Sequence, residues 1–212
     1  MIPAPLTLVC FAMKEEAGPF ERRRKKKAHI KTIVTGIGQR NTERSIHEAL
    51  ERDKPNLVLT CGFAGGLRAG LKLGDVLFSA EKDSDLERKL KAAGASVGSF
   101  HCARKIAVTS VQKRALWRET GADAVEMESG FICAICHEKR IPVATVRVIL
   151  DTAEQDLPLD FNELANPEQE MDYWKLTKAL IKSPGKIGAL LRLQKISDEA
   201  ACKLADVLVQ VS

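Results

Sequence analysis

Three carboxylic acids sit where the chain pattern expects a ligand. Asp151 closes the β-branched, mostly apolar run 143–150, which reads as a buried strand. Glu128 follows a short apolar run that leads into Glu126-Met127 and precedes a segment of helical spacing, and Glu16 comes just after the apolar run 6–13. In open α/β sheets ligands gather beyond the carboxyl ends of the strands, so acids placed there are better functional candidates than acids chosen at random. The chemistry they offer is acid–base. A carboxyl kept protonated by burial donates a proton, and one kept ionised accepts hydrogen bonds or a proton and favours developing positive charge. The competing fate of an acid is to cap a helix or pair with a cation. Arg147, four residues before Asp151, is a ready ion-pair partner for Glu16 or Glu128, because an arginine in an apolar strand seldom goes unpaired.

Two glycine-bearing stretches can bring backbone close to a ligand. Thr35-Gly36-Ile37-Gly38-Gln39-Arg40-Asn41 approaches a dinucleotide loop, with Asp53 about where a ribose acid would fall, but Asn41 replaces the third glycine. A tight turn with an exposed helix N-terminus explains it without a cofactor, and that end binds anions, with Arg40 beside it. Cys61-Gly62-Phe63-Ala64-Gly65-Gly66 reads as a second glycine-rich loop, serving either a ligand or a plain turn. Cys133-Ala134-Ile135-Cys136-His137 matches a haem-attachment pattern, yet that chemistry needs export, and Phe131, Ile132 and Ile135 suit a packed helix. His29, His47, His101 and His137 are scattered and give no zinc-like spacing.

The elements that must hold these residues alternate between strand and helix patterns. Strands are expected over 6–13, 30–34, 56–60, 76–79, 106–109 and 143–150. Helices are expected up to residue 50 after the first glycine turn, over 85–93, 111–120, 173–182 and 186–211, with a short helix or turn over 14–24 broken at Gly18-Pro19 and a loop at 157–162. At 212 residues, 45% hydrophobic and 29% charged, this is most simply one soluble domain. A net charge of +5 fits an anionic ligand better than a dedicated nucleic-acid surface.

The cationic run Arg22-Arg23-Arg24-Lys25-Lys26-Lys27 reads as a solvated connection, since it lacks aromatics on which bases stack. The start of the chain has no basic region before its apolar run, and no run approaches the roughly 20 apolar residues needed to span a bilayer, which places the chain in the cytoplasm. Trp174, Lys175, Lys178, Leu180, Lys182, Lys186, Leu190 and Arg192 offer a membrane surface as an alternative to packing on the sheet.

Ala124-Val125-Glu126-Met127-Glu128-Ser129, followed by Val146-Arg147-Val148-Ile149-Leu150-Asp151-Thr152-Ala153-Glu154, resembles the purine nucleoside phosphorylase superfamily, in particular its methylthioadenosine/adenosylhomocysteine nucleosidases. Ala12-Met13-Lys14-Glu15-Glu16 and the stretch from Thr60 to Leu67, ahead of Gly74-Asp75-Val76, agree in the same order, and the tail over 180–193 is similar to a hopanoid-associated branch. The resemblance implies one α/β domain over 1–212, a mixed central β-sheet flanked by helices, with the helices of 173–212 packed on it. It implies cleavage of the N-ribosidic bond of an adenine-type purine nucleoside, 5′-modified in some members, without metal or organic cofactor, by a homo-oligomer.

In that scheme Asp151 protonates the leaving purine, Met127 and Glu128 hold the ribose, and Glu16 activates water. Gly36, Gly38, Arg40, Phe63, Ala64, Gly65 and Arg147 face the nucleoside or a phosphate. Water is the preferred nucleophile and phosphate the alternative. The chain departs from the pattern at Phe63, where a small or hydroxyl residue is common, and at Leu150, which replaces the usual serine. It departs again at Ser110-Val111-Gln112, where a purine-stacking aromatic is expected, with Phe100 and His101 as nearby substitutes. A non-catalytic nucleoside- or nucleotide-binding protein of the same fold is the other reading.

Overall fold

The computed structural model describes residues 5–24, 28–164, 185 and 187–211. Aliphatic and β-branched runs form the strands β1 (Thr7–Phe11), β2 (Ile30–Val34), β3 (Leu57–Gly66) and β4 (Val76–Ser79), then β8 (Val143–Asp151). Between them lie the short strands β5 (Ser96–Val97), β6 (Phe100–Cys102) and β7 (Ala124–Glu126). Among the described residues they make one sheet of order β2-β1-β3-β8-β4-β5, with β7 antiparallel to the end of β3 and β6 beside β7. β1, β2, β3 and β8 run parallel and β4 runs antiparallel to β8, so the sheet is mixed, as expected.

Both faces are covered, which is why the central strands are apolar at nearly every position. Alternate residues serve opposite cores. Val9, Phe11, Leu59, Val146 and Val148 meet Phe20 of α1 (Lys14–Arg23), Leu90 of α3 (Asp85–Ala92) and Leu204 and Leu208 of α7 (Ile187–Val211). Leu8, Cys10 and Val58 meet Ile46 and Leu50 of α2 (Gln39–Asp53) and Ile132 and Cys136 of α5 (Ser129–Glu138). The expected apolar stripe of the last helix, Ala200, Leu204, Val207, Leu208 and Val211, is buried in the first of these cores.

Several expectations are corrected. α1 runs unbroken through Gly18-Pro19. The N–H that proline lacks would have bonded the carbonyl of Glu15, which is exposed and open to water, while Pro19 and Phe20 bury against the core. Residues 61–66 are not a loop but the second half of β3, paired with β8 and β7. Residues 106–109 are not a strand, because their backbone groups are taken by loops and side chains. Ile106 exchanges hydrogen bonds with the Asn162 side chain (2.8 and 3.0 Å), and Val108 bonds Gln112 Oε1 (2.7 Å) and the Leu157 amide (2.8 Å). The loop expected at 157–162 gives way at its end to a short helix, α6 (Phe161–Leu164). The helix expected over 173–182, with Trp174, Lys175, Lys178, Leu180 and Lys182, lies outside the described residues, as do Lys25, Lys26, Lys27 and Lys186.

Arg23 and Arg24, from the cationic run, serve structure: Arg23 pairs with Asp206 (3.4 Å) and Arg24 with Glu21 (3.0 Å). Asp53 sits at the far end of α2 from Gly36 and Gly38, roughly 20 Å away at 1.5 Å per residue. It is bound there by Lys31 (2.6 Å) and Arg52 (2.8 Å), which hold its carboxyl down at about 2 and take it out of any dinucleotide site.

Candidate active site

β7 ends in Glu126 and α5 begins after Glu128, and the fold treats these two glutamates in opposite ways. The Glu126 carboxylate accepts from the amides of Glu128 (3.0 Å) and Ser129 (2.7 Å), from Ser129 Oγ (2.7 Å) and from Arg147 Nη2 (2.6 Å). It thus caps the first turn of α5 from upstream, satisfying N–H groups that a helix start leaves open. Burial pushes its carboxyl up, but Arg147 and these donors outweigh it and the net direction is down. Glu128 is also buried, yet among the described residues its carboxylate meets only the Gly38 amide at 3.5 Å and Arg147 at 3.9 Å. Burial first, then the charges of Glu126 and Glu16, raise it to about 7, against the pull of Arg147. The saturated glutamate is structural, and the under-bonded one is free to receive a ligand's donors.

Arg147 holds this cluster together from β8. It is 1% exposed, and its Nη2 also donates to Thr60 Oγ1 of β3 (3.1 Å). The sequence offered Glu16 or Glu128 as its partner; Glu128 does pair with it at 3.9 Å, and the closer contact is with Glu126 at 2.6 Å.

Glu16 enters from the N-terminal turn of α1. Oε2 accepts from the amides of Ala12 (3.0 Å) and Met13 (2.9 Å), and Oε1 from the amide of Phe63 (2.8 Å). Burial raises its carboxyl, while Arg147 and the three amides pull the other way. Gly62 has φ +152° and lies so close that a Cβ there would stand 2.6 Å from Glu16 Oε1. The glycines of β3 therefore make room for the acids themselves. Phe63 contributes its amide to Glu16, and its ring packs toward the α1/α7 core.

Asp151 lies farther along the same strand pair. The β3–β8 register slips between Ala64 and Gly65, so Leu150 is the extra residue and Asp151 comes opposite Gly65. Such a bulge re-aims a side chain. Here Leu150 packs into the α1/α7 core, and Asp151 Oδ2 would stand 3.2 Å from a Cβ on Gly65. The cation beside Asp151 is Lys113 of α4 (Ser110–Thr120), whose Nζ contacts Oδ2 and donates to the carbonyls of Thr152 (2.9 Å) and Gln155 (2.6 Å). Burial raises the Asp151 carboxyl above its usual range and Lys113 opposes that rise. Sequence reasoning missed Lys113. The signal it left is that Leu116 is the one apolar residue of α4 that packs inward while Val111, Ala115 and Trp117 are exposed, so the position one turn before it had to be filled by a polar residue.

The remaining predicted residues surround this arrangement. Gly36 and Gly38 both have positive φ at the turn into α2 (+82° and +83°), where a side chain would be strained, and the Gly38 amide points to Glu128. Arg40, in the first turn of α2, is exposed. Ala64 is buried beside Phe100, which packs on Leu77, Ala124 and Ile149. Met127 is half-buried between the two glutamates, and His101 pairs with Val125 through β6. Cys136 is buried in α5 and Cys133 contacts Thr145 Oγ1 (3.7 Å), as a packed helix requires. Among the described residues no group of three or more His, Cys, Asp or Glu side chains is arranged to hold a metal ion, and no helix is long and apolar enough to cross a membrane.

Known proteins share this architecture. The chain is 27% identical over 167 residues to a 5′-methylthioadenosine/S-adenosylhomocysteine nucleosidase of Glaesserella parasuis serovar 5 (strain SH0165), covering 63% of this chain and 73% of that protein. The fold is similar to the Neisseria meningitidis 5′-methylthioadenosine/S-adenosylhomocysteine nucleosidase solved in complex with methylthio-immucillin-A, with TM-score 0.71, 17% identity and 98% of each chain covered. It is also similar to the futalosine hydrolase of Helicobacter pylori strain 26695, with TM-score 0.69, 16% identity and 98% and 97% covered. The family model described as the phosphorylase superfamily matches residues 8–82 and 79–182, and the chain belongs to that superfamily.

Proposed function

We propose that this protein hydrolyses the N-ribosidic bond of an adenine-type purine nucleoside. The observation that carries the reading is the contrast within the acid cluster: Glu126 is saturated by protein donors, whereas Glu128 and Asp151 are buried, raised carboxyls with bonding capacity left over. Membership of the superfamily and the likeness to nucleosidases support it.

Breaking this bond leaves a cation-like ribosyl group and an electron-rich base, so the catalyst must protonate the base and favour positive charge on the sugar. Asp151, protonated before reaction, gives its proton to a ring nitrogen of the purine as the electron pair of the C–N bond passes to the base. Glu128, ionised, accepts from the ribose hydroxyls, with Met127 against the sugar. Glu16 takes a proton from the attacking water. Arg147 holds the glutamates in place and balances their charge.

Water is favoured over phosphate for two reasons. The helix end at Gly38, where an anion would bind, already faces the Glu128 carboxylate. Arg147, a cation that could have held phosphate, is enclosed and engaged by Glu126 and Thr60. The exposed Arg40 beside Gly36 and Gly38 is the feature that favours phosphorolysis instead. Assembly into a homo-oligomer belongs to the same reading, and light scattering tests it. Incubation with methylthioadenosine, S-adenosylhomocysteine or adenosine in phosphate-free buffer tests the activity: adenine and a free sugar are expected. Tight nucleoside binding with no adenine release would make the protein a binding module.

A further inference from the structure

Helix α4 carries 11 residues, and the one it buries is a lysine. The Lys113 side chain is 0% exposed, beside an Asp151 side chain that keeps 12%. Burying an ammonium is strongly unfavourable unless every N–H finds an acceptor, and here three acceptors converge on Nζ: the carbonyls of Thr152 and Gln155 and Oδ2 of the Asp151 carboxyl group. The first two fasten the turn that follows β8. The third is the acid to which the proposed reaction assigns the proton. Leu150 cannot support that acid, since it packs into the core on the other side of the sheet, and Gly65, opposite on β3, has no side chain to offer.

We propose that Lys113 is the positioning residue of the general acid: it fixes Asp151 through Oδ2 and stabilises the carboxylate that remains when the proton leaves. The proposal rests on the assignment of Asp151 made above. Lys113 itself does not touch substrate, because its side chain is enclosed. As the C–N bond breaks, its electron pair passes to the purine, the Asp151 proton moves to a ring nitrogen, and the new carboxylate is matched at once by an ammonium that keeps all its protons. Without that charge, ionising a buried carboxyl is opposed by desolvation, and the acid is weaker when it must act. Among the described residues, the further charged group shown to act on Lys113 is Asp156, which caps α4 through the Ser110 amide (2.6 Å) and faces Lys113 electrostatically. The glutamates around Arg147 form a separate cluster.

The test compares Lys113→Met, which keeps length and packing, with Lys113→Arg, which keeps the charge. The readouts are the pH dependence of kcat and kcat/KM, and the carboxyl titration of Asp151 followed by carbon-detected NMR, with the resonance assigned from Asp151→Asn. In Lys113→Met the Asp151 midpoint and the alkaline limb of kcat/KM both move up together, by about 1–3 pH units for the loss of a contacting cation. The plateau kcat falls by about tenfold or more while KM stays within about threefold, the split expected of a group that acts on the chemical step. Lys113→Arg returns the midpoint toward wild type.

A lower Tm with an unmoved midpoint and limb would overturn the proposal, reducing Lys113 to a tether for residues 152–155. Should Lys113→Met fail to fold, the wild type decides. The Lys113 ammonium nitrogen resonance, the Asp151 carboxyl and the alkaline limb must then share one midpoint, and distinct midpoints refute the pairing. Wild-type protein that releases no purine sinks the functional reading, whereas normal release with an unmoved limb in Lys113→Met sinks this proposal alone.

Discussion

A β-carbon on Gly62 would stand 2.6 Å from Oε1 of Glu16, closer than any real contact allows. Glycine is required twice over here, since φ at this position is +152°, a conformation that L side chains rarely adopt. Gly62→Ala must therefore displace Glu16 from the Phe63 amide or distort β3. We expect a loss of stability of about 1–3 kcal/mol and a fall in kcat/KM of about tenfold or more from the misplaced base. Denaturant midpoints and steady-state kinetics on the same variant check both. Activity within about twofold of wild type would show that Glu16 need not be held where it is.

Asp151→Asn keeps the shape of the acid and removes its proton. The expected fall in kcat is about 10²–10⁴-fold, with nucleoside affinity little changed when measured by calorimetry on the inactive variant. Retention of more than about half the wild-type kcat, with chemistry rate-limiting, would remove Asp151 from the reaction.

Glu126→Gln and Glu128→Gln should move stability in opposite directions, although the residues are two apart. Glu126 is the ionised partner of buried Arg147 and caps α5, so its neutralisation costs about 3–5 kcal/mol. Glu128 has a carboxyl at about 7 in place of an ordinary 4.5. The folded chain thus holds that proton more tightly than the unfolded chain. The stability this contributes is fully present below 4.5 and is lost as pH rises through about 7, on the order of 3 kcal/mol. Glu128→Gln escapes that loss. Its Tm should exceed that of wild type by several degrees at pH 8, a gap that closes toward pH 5. Thermal melts at the two pH values check this, and a lower Tm for Glu128→Gln at pH 8 would contradict it.

The same ionisation should govern ribose binding. With Glu128 needed as a carboxylate, kcat/KM of the wild type rises as pH climbs through about 7, opposed by the limb along which Asp151 loses its proton. The rising limb is absent from Glu128→Gln, whose residual activity is flat there. A pH–rate profile with no inflection near 7 would argue that a bound substrate is not held by this carboxylate.

The sequence made the scaffold legible where local pattern and tertiary environment agree. β1, β4 and β8 are largely apolar because both sheet faces are covered, and Asp151 and Glu128 could be found because they interrupt or end such runs. The chain was misread where backbone groups find unexpected partners. Residues 106–109 have the composition of a strand, but Asn162 and Gln112 take their hydrogen bonds; the Thr109-x-x-Gln112 capping box is legible in local spacing, whereas the Asn162 contact is not. Glycines 62, 65 and 66 suggested a loop; they lie within a strand, and two of them leave space for side chains from elsewhere. Lys113 was hidden because a lysine on a helix normally points to water, and only the assembled fold brings a carboxylate and two carbonyls to its end.

The most direct measurement follows the oxygen that ends up on the sugar. Purified protein is incubated with methylthioadenosine in isotopically labelled water, with and without added phosphate, and the sugar product is read by mass spectrometry. Hydrolysis through Glu16 and Asp151 predicts adenine release without phosphate, label on the anomeric carbon, a rate indifferent to added phosphate, and loss of all three in Glu16→Gln and Asp151→Asn. Adenine that appears only with phosphate, together with an unlabelled sugar 1-phosphate, would contradict it.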